Sequence, residues 1–391
     1  MDQPSTSRRL LGVDAARLLA ILGMFAAHVF TLSTSTAEGA YSPTITGALA
    51  AGRASVLFMV LAGISLVLLT ESMVRKGFSN PKVYSILFRR ALIIAVLGLL
   101  IGSANEAIAN ILVHYGILFL LLPLAITLSR ATLWIVSSLW LIIAPILWRP
   151  LEAEWNEQSL GHNPNFLDLT TPGLLFKDLF VTGYYPLLVW LGYGLLGMAV
   201  ARSNLRSTRA AWHLFIWGSL IAVSSLLLGW LVSSPSIDRI TELTGASSTQ
   251  VGTLLTTGRL PGSSIDPLLG EQLYLWLPTA HSQSLISTIH TAAFAVAVIG
   301  LMQLIVRRLG AFGRFVSASG KAPLTLYVGH LLFLPLVYEL ISPTAAWWIL
   351  CSATALLGLW LMLNPTSGPL ESLVRTLSGA DVPKNNEHPE S

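Results

Sequence analysis

Long apolar runs alternate with short polar segments along most of the chain. Each run is bounded by glycine, proline, serine or charged residues. A run of this kind is typical of an α-helix that crosses a bilayer, which needs about 20 apolar residues. The predicted spans are 18–33, 54–70, 90–104, 110–128, 132–148, 185–201, 212–232, 285–306, 323–341 and 345–363. The pattern predicts an all-α polytopic membrane protein, a bundle of about ten transmembrane helices.

Composition agrees with a membrane protein and excludes other classes. Of 391 residues, 53% are apolar and only 11% are charged, against about 25% charged in ordinary soluble domains. Helices packed side by side in lipid can form one domain of this length, so we expect a single transmembrane domain over 18–363. Cys351 is the only cysteine, which excludes an intrachain disulfide and a cysteine-rich zinc site. We expect no bound metal.

The distribution of basic residues predicts the orientation. A net charge of +4 would suggest nucleic acid as a partner of a soluble protein, but here the positions of the charges matter more, and no nucleic-acid partner is expected. Most of the 23 Lys and Arg residues fall on one side of the predicted spans. The positive-inside rule makes that side cytoplasmic. It predicts a multi-pass inner or plasma membrane protein with a cytoplasmic N-terminus (1–17) and tail (364–391), and with outer loops at 149–184 and 233–284.

Ionisable side chains inside membrane spans are costly and therefore mark functional candidates. Arg17 and His28 are 11 residues apart in the first span, so a helix separates them by about 16.5 Å along its axis and only about 20° around it. Asp14, on the same face, can pair with Arg17 or cap the helix start. The alternative is structural: Arg17 extends to the lipid headgroups and His28 is a hydrogen-bonded packing residue.

The spacing of this pair suits a donor such as acetyl-CoA, whose phosphates cannot cross lipid. Its long pantetheine arm can thread a thioester into a helix bundle. Arg17 at the cytoplasmic mouth can hold phosphate through paired N–H donors. His28, deeper along the same face, can take a proton from an attacking hydroxyl or amine.

Other histidines lie near the ends of predicted spans. His114, His281 and His290 are expected at the outer level, where they can surround an acceptor or relay protons with His28. The alternative for each is a hydrogen bond to a backbone carbonyl at a helix end.

His330 is expected about 9 Å into the ninth span from the cytoplasm. There it can contact the donor together with Lys321 and Tyr327. Three glycines in another span, Gly192, Gly194 and Gly197, superficially resemble a phosphate loop. No strand precedes them, so close helix packing is the prediction.

Six segments resemble a known family. They are GVDAARLLAILGMFAAHVF, GRASVLFMVLAGISL, ILVHYGILFLLLP, YYPLLVWLGYGLLGMAVAR, AHSQS and GKAPLTLYVGHLL. In this order they resemble YeiB-like transmembrane acyltransferases, which are similar to the catalytic domain of heparan-alpha-glucosaminide N-acetyltransferase and, more distantly, to acyltransferase-3 proteins. The resemblance covers about residues 9–363. One departure is AHSQS, which stands where this branch has a PHSG-type string.

The resemblance implies transfer of an acetyl or similar small acyl group. The donor is a cytoplasmic acyl-CoA, used as co-substrate, and the acceptor is an extracytoplasmic sugar, glycolipid or metabolite. His28, as base or as nucleophile, and His281 are the expected catalytic residues; Arg17, Lys321, Tyr327 and His330 are the expected donor-binding residues; Asp14, His114 and His290 are the expected supporting residues. An oligomer is compatible with the sequence. The rival interpretation is a proton-coupled transporter or exporter, which also uses intramembrane His and Arg residues.

Overall fold

A computed structural model describes residues 10–104, 108–260, 262–364 and 366–380. Residues 1–9 of the predicted cytoplasmic N-terminus and 381–391 of the predicted tail lie outside this part. The α-helices are α1 (Leu11–Val29), α2 (Ile45–Ala50), α3 (Arg53–Arg75), α4 (Asn80–Ala104), α5 (Leu112–Leu121), α6 (Arg130–Trp155), α7 (Pro172–Lys177), α8 (Leu187–Ala201), α9 (Thr208–Ser233), α10 (Ile237–Thr244), α11 (Ser248–Thr257), α12 (Leu285–Ile305), α13 (Gly310–Ser319), α14 (Pro323–Val337), α15 (Pro343–Leu363) and α16 (Pro369–Ser378). The prediction of an all-α membrane protein is confirmed.

The predicted count of ten spans is not reached. In the described ranges, seven helices are long and apolar enough to cross a membrane, or up to nine if each of two bent helix pairs is one span. The predicted span at 110–128 is a short apolar helix over Leu112–Ala125, below the roughly 20 residues that a full crossing needs. The apolar run alone did not predict this early end, although Pro123 lies just after the end of α5.

Each bent pair breaks at a glycine and proline segment. The segment Pro172–Thr182 meets α8 at 56°, and α13 meets α14 at 60°. Pro186 directly precedes α8, and Pro323 is the first residue of α14; proline cannot donate the hydrogen bond that would continue the preceding helix. The breaks leave Tyr184 and Tyr185 between the first two helices, and Lys321 between the second two.

Helices α3 and α8 pack closely through glycines. A Cβ atom at Gly63 would lie 2.0 Å from the backbone oxygen of Gly194, and one at Gly197 would lie 2.0 Å from that of Val60. Only glycine permits this approach, which small residues commonly provide between membrane helices. The predicted packing role of Gly194 and Gly197 is confirmed.

Helix α1 contacts α3, α12, α13, α14 and α15, so its polar residues face protein on several sides. Beyond its C-terminal end, β1 (Ser33–Ser35) and β2 (Tyr41–Pro43) form an antiparallel pair in which Thr34 faces Ser42. Helices α2 and α11 pack beside β2. The predicted outer loops are therefore partly helical: α7 lies within 149–184, and α10 and α11 lie within 233–284.

Candidate active site

Arg17 lies in the first half of α1 and is held by two neighbours. Its guanidinium donates to Oδ1 of Asp14 one turn earlier and to Oγ of Ser65 on α3 at 2.9 Å. Asp14 is buried, and the Arg17 side chain is 14% exposed. The first of the two interactions predicted for Asp14, an ion pair with Arg17, is present; no side-chain hydrogen bond caps the start of α1.

Arg17 lines a cavity of about 340 Å³, which we name the basic cavity. Its charged lining residues are Arg17, Lys76, Arg90, Lys321, Glu371 and Arg375. Among the described lining residues the carboxylate is that of Glu371, whose Oε1 accepts hydrogen bonds from the backbone N–H groups of Leu324 and Thr325 at the start of α14. The excess of cations suits a polyanionic ligand.

His28 lies toward the other end of α1 and pairs with another histidine. Its Nδ1 is 3.0 Å from Nε2 of His330 on α14. The two rings are nearly parallel, with centroids 5.3 Å apart. Phe25 and Tyr327 pack against the His330 ring, which is 1% exposed. His330 therefore fixes the orientation of the His28 imidazole.

His28 lines a cavity of about 680 Å³, which we name the histidine cavity. Tyr184 and Tyr185, from the break before α8, line the same space, as do Arg259 and His281 from the segment between α11 and α12. The Arg259 guanidinium lies over the Tyr184 ring, 5.2 Å from its centroid. Basic, aromatic and imidazole groups thus surround the exposed side of His28.

A second cavity, of about 980 Å³, adjoins the first, and we name it the loop cavity. Seven residues line both spaces: Ala27, His28, Leu32, Tyr184, Arg259, His281 and Tyr338. The loop cavity adds the amides Asn110 and Asn163, the acids Glu152, Asp178 and Asp266, and the aromatic residues Trp148 and Tyr274. The two together give room and hydrogen-bonding groups for a polar molecule beside His28.

The segment that carries His281 has an unusual backbone. His281 has a φ of 60° and Gln283 a φ of 55°, a left-handed conformation that costs most L-residues about 1–2 kcal/mol. Hydrogen bonds hold the segment in place: Tyr274 Oη donates to the Ser282 carbonyl at 2.8 Å. Gln283 therefore adopts a backbone conformation that favours glycine.

Burial is the main influence on the charge state of His281. It lowers the pKa of the imidazole to about 4, and the nearby positive charge of Arg259 acts in the same direction. His281 is therefore neutral near pH 7 and can accept or donate a proton through its ring nitrogens.

The two predicted supporting histidines differ. His290 is fully engaged: Nδ1 contacts the Ala222 carbonyl at 2.8 Å, and Nε2 accepts from Nε of Arg53 at 3.1 Å. His114 is buried, lines the loop cavity and meets Tyr185 edge-on. Within the described residues, neither ring nitrogen of His114 has a hydrogen-bond partner. The Asn110 carbonyl lies near the ring.

An aromatic layer lies between the basic cavity and the histidine pair. Phe58 and Tyr115 line the basic cavity, and Phe58 stacks on Tyr327 at 5.8 Å and contacts Tyr115 at 5.6 Å. Tyr327 in turn meets His330 at 5.1 Å. The predicted donor-binding residues are thus divided: Lys321 lies with Arg17, whereas Tyr327 and His330 lie with His28.

Several lining residues carry no distinctive signal in the sequence. Tyr184 and Tyr185 were visible only as part of the YYP string, and Arg259 only as one outer basic charge. Arg90 was one of several cytoplasmic cations, although an arginine at the edge of an apolar run is itself a signal. In the described ranges no group of three His, Cys, Asp or Glu residues could hold a metal ion.

Comparison with known proteins identifies the family. The model of the heparan-alpha-glucosaminide N-acetyltransferase catalytic domain matches residues 9–234, more than half of the chain. This range contains Arg17, His28 and His114 and ends before His281 and His330. No curated protein matches the chain. The chain therefore belongs to the heparan-alpha-glucosaminide N-acetyltransferase catalytic family, whose members are membrane acetyltransferases.

Proposed function

We propose that this protein transfers an acetyl or similarly small acyl group from cytoplasmic acyl-CoA to a hydroxyl or amine of an extracytoplasmic sugar, glycolipid or metabolite. The observation that carries the proposal is α1 itself, which presents Arg17 to the basic cavity and His28 to the histidine cavity. Family membership supplies the reaction class. It does not favour the transporter alternative, which predicts substrate movement without consumption of acyl-CoA.

The basic cavity is the proposed site of the donor phosphates. Arg17 and Arg90 offer planar guanidinium groups, which bind phosphate oxygens in pairs, and Lys321 adds a point charge. The positive-inside rule favours a cytoplasmic location for this end, where acyl-CoA is found.

The thioester then has to reach His28 through the bundle. Arg17 and His28 are separated by about 16.5 Å along α1, and the aromatic layer of Phe58, Tyr115 and Tyr327 lies on the way. Phe58 and Tyr115 face the basic cavity, so their side chains rotate aside when the pantetheine arm enters. The same layer keeps water and ions from passing when no donor is bound.

The partner of His28 suggests which tautomer it adopts. The carbonyls of Leu326 and Tyr327, which can only accept hydrogen bonds, lie near the His330 ring, and within the described residues Nδ1 of His330 has no hydrogen-bond partner of its own. A proton on that Nδ1 makes Nε2 of His330 an acceptor for the Nδ1–H of His28. Nε2 of His28 then keeps its lone pair for chemistry, much as a buried partner orients histidine in other catalytic sites.

The transfer step follows from this lone pair. As base, Nε2 of His28 takes the proton while the acceptor oxygen or nitrogen attacks the thioester carbonyl carbon; the C–S bond breaks, and the departing sulfur takes that proton to give CoA thiol. As nucleophile, Nε2 itself attacks the carbonyl carbon, and the C–S bond breaks to expel CoA thiolate. The acceptor then attacks the acyl-imidazolium, the C–N bond breaks to restore neutral His28, and the acceptor's proton passes to the thiolate to give CoA thiol. Arg259 and His281 line the same cavity and can stabilise the oxyanion or hold the acceptor.

Purified protein in detergent or nanodiscs tests the proposal. Release of CoA thiol from acetyl-CoA, together with a mass increase of a supplied amine or hydroxyl acceptor, is expected. In sealed vesicles of known orientation, acetyl-CoA should support the reaction only from the side of the basic cavity. Absence of acetyl-CoA binding by folded protein would contradict the proposal, and activity only from the opposite side would reverse the assigned direction. A mass increase of the protein before acceptor is added would identify the nucleophilic route.

A further inference from the structure

A groove of about 820 Å³ lies on the side of the bundle, apart from the cavities of the candidate active site. Helix α6 packs on α8, and α9 packs on α12; the groove lies between α6 and α9, with α8 and α12 as its floor. We name it the lateral groove.

The residues along the groove follow helical spacing on both walls. On α6 they include Arg130, Trp134 and Ile142, and on α9 they include Arg209 and Trp217. Trp217 is 60% exposed and Ile142 is 43% exposed. Small residues such as Ala292 and Ala293 of α12 form part of the floor and leave depth between the walls. Most of the groove is therefore an apolar slot that faces the surrounding lipid.

Polar residues gather at one end of the slot. They are Arg130 at the start of α6, Ser203 and Asn204 after α8, and Ser207, Arg209 and His213 at the start of α9. Arg202, in the segment before α9, donates a hydrogen bond to the carbonyl of Ile126, in the segment before α6. This bond holds the N-terminal ends of the two helices near each other. In the part of the chain that the structure describes, no Asp or Glu lines the groove, and neither Arg130 nor Arg209 forms an ion pair with an acidic residue.

The length of the slot matches one leaflet of a bilayer. Arg130 and Ile142 on α6 are 12 positions apart, as are Arg209 and Ile221 on α9, which is about 18 Å along a helix. Half of a hydrocarbon core of about 30 Å is about 15 Å. A headgroup at the two arginines would thus place its acyl chain along the apolar part of the groove.

We propose that the lateral groove binds an anionic glycerophospholipid, with its phosphate at Arg130 and Arg209 and one acyl chain between Trp134 and Trp217. Two arginines without an acidic partner favour a headgroup with net negative charge over a zwitterionic one. The apolar slot provides the contacts that free phosphate lacks. The site is independent of the proposed acyl transfer.

Native mass spectrometry of the full chain in mild detergent tests this proposal. The probes are dioleoyl phosphatidylglycerol and dioleoyl phosphatidylcholine at equal concentration, with inorganic phosphate as a competitor. We expect preferential retention of phosphatidylglycerol that phosphate does not displace. Arg130→Gln and Arg209→Gln should each reduce the preference about five-fold, and together roughly 30-fold.

Matched variants separate charge from general damage. Arg130→Lys with Arg209→Lys should keep most of the preference, and Arg308→Gln, an exposed arginine outside the groove, should leave it unchanged. Equal retention of both lipids, an unchanged preference in the double glutamine variant, or displacement by phosphate would each overturn the proposal. A dimer that forms without lipid and dissociates in the double glutamine variant would also overturn the proposal. The groove would then bind a second copy of the chain instead of a lipid.

Discussion

Nδ1 of His28 and Nε2 of His330 lie 3.0 Å apart although the two residues are 302 positions apart in the chain. One ring must donate and the other accept, so the protonation of each ring constrains the other. His28 borders the histidine cavity and His330 is buried behind it. This pair is the centre of the candidate site, and the first two predictions concern it.

Replacing His28 should stop transfer while donor binding persists. A lost general base typically reduces rate by about 10²- to 10⁴-fold, so His28→Gln and His28→Ala should show at least this loss in CoA release. Calorimetry should find acetyl-CoA affinity close to that of the parent, because the proposed phosphate site is at the other end of α1. Near-parental turnover in either folded variant would move the chemistry to another residue, with His281 the next candidate.

Replacing His330 should act through His28. His330→Leu removes the acceptor for the His28 N–H, and we expect kcat to fall at least ten-fold with little change in KM for acetyl-CoA. His330→Gln restores an acceptor oxygen and should recover part of the loss. The two variants have similar side-chain volume, so a purely structural role would affect both equally, and a pH–rate profile that changes only in His330→Leu would support the positioning role.

Arg17→Ala should weaken acetyl-CoA binding by about 1.5–3 kcal/mol, the range for hydrogen bonds to charged groups. Because Arg17 also pairs with buried Asp14, the variant disturbs that carboxylate as well. The double variant Asp14→Asn with Arg17→Ala removes this complication and should show the same loss. Calorimetry is the measurement, with Arg308→Gln as a control at a site outside the basic cavity; affinity equal to that of the parent would exclude Arg17 as a donor ligand.

Gly258 supports the segment that carries His281. It has a φ of 73°, and a Cβ atom there would lie 1.9 Å from the Ala280 oxygen. Gly262 has a similar φ of 76° but open space around it. Gly262→Ala should therefore cost about 1–2 kcal/mol for the left-handed backbone alone. Gly258→Ala should lower Tm further than Gly262→Ala does and should also reduce turnover. Thermal unfolding and CoA release are the measurements. Equal effects of the two variants would mean that the His281 segment can move to accommodate the added Cβ atom.

The lowered pKa of His281 predicts a pH-dependent stability. The imidazole has a pKa of about 4 in the folded protein and about 6.5 when unfolded. Between these values only the unfolded state takes up the proton, so stability from this group is present above pH 6.5 and is lost as pH falls toward 4. In thermal unfolding, the Tm of the parent should fall more steeply over this window than that of His281→Gln; parallel curves would show that the imidazole is solvated.

Much of the fold was visible in the sequence because lipid imposes a simple rule on residue types. Apolar runs located the long helices, and Pro323 and Pro186 marked places where a helix has to begin. The short helix at Leu112–Ala125 and the two bends escaped prediction because hydropathy measures length of an apolar run, not helix direction. The ten predicted spans therefore became seven to nine.

The sequence by itself determined that the chain enters a membrane, and it singled out Arg17 and His28, because a polar side chain in an apolar run is conspicuous and helical spacing is fixed. Only the tertiary structure decided that His330 meets His28, that Lys321 lies apart from it with Arg17, and that Arg259 and Tyr184 border the same cavity. Those relationships depend on how helices distant in sequence pack and bend. The pattern of residue types along the chain does not specify those distances.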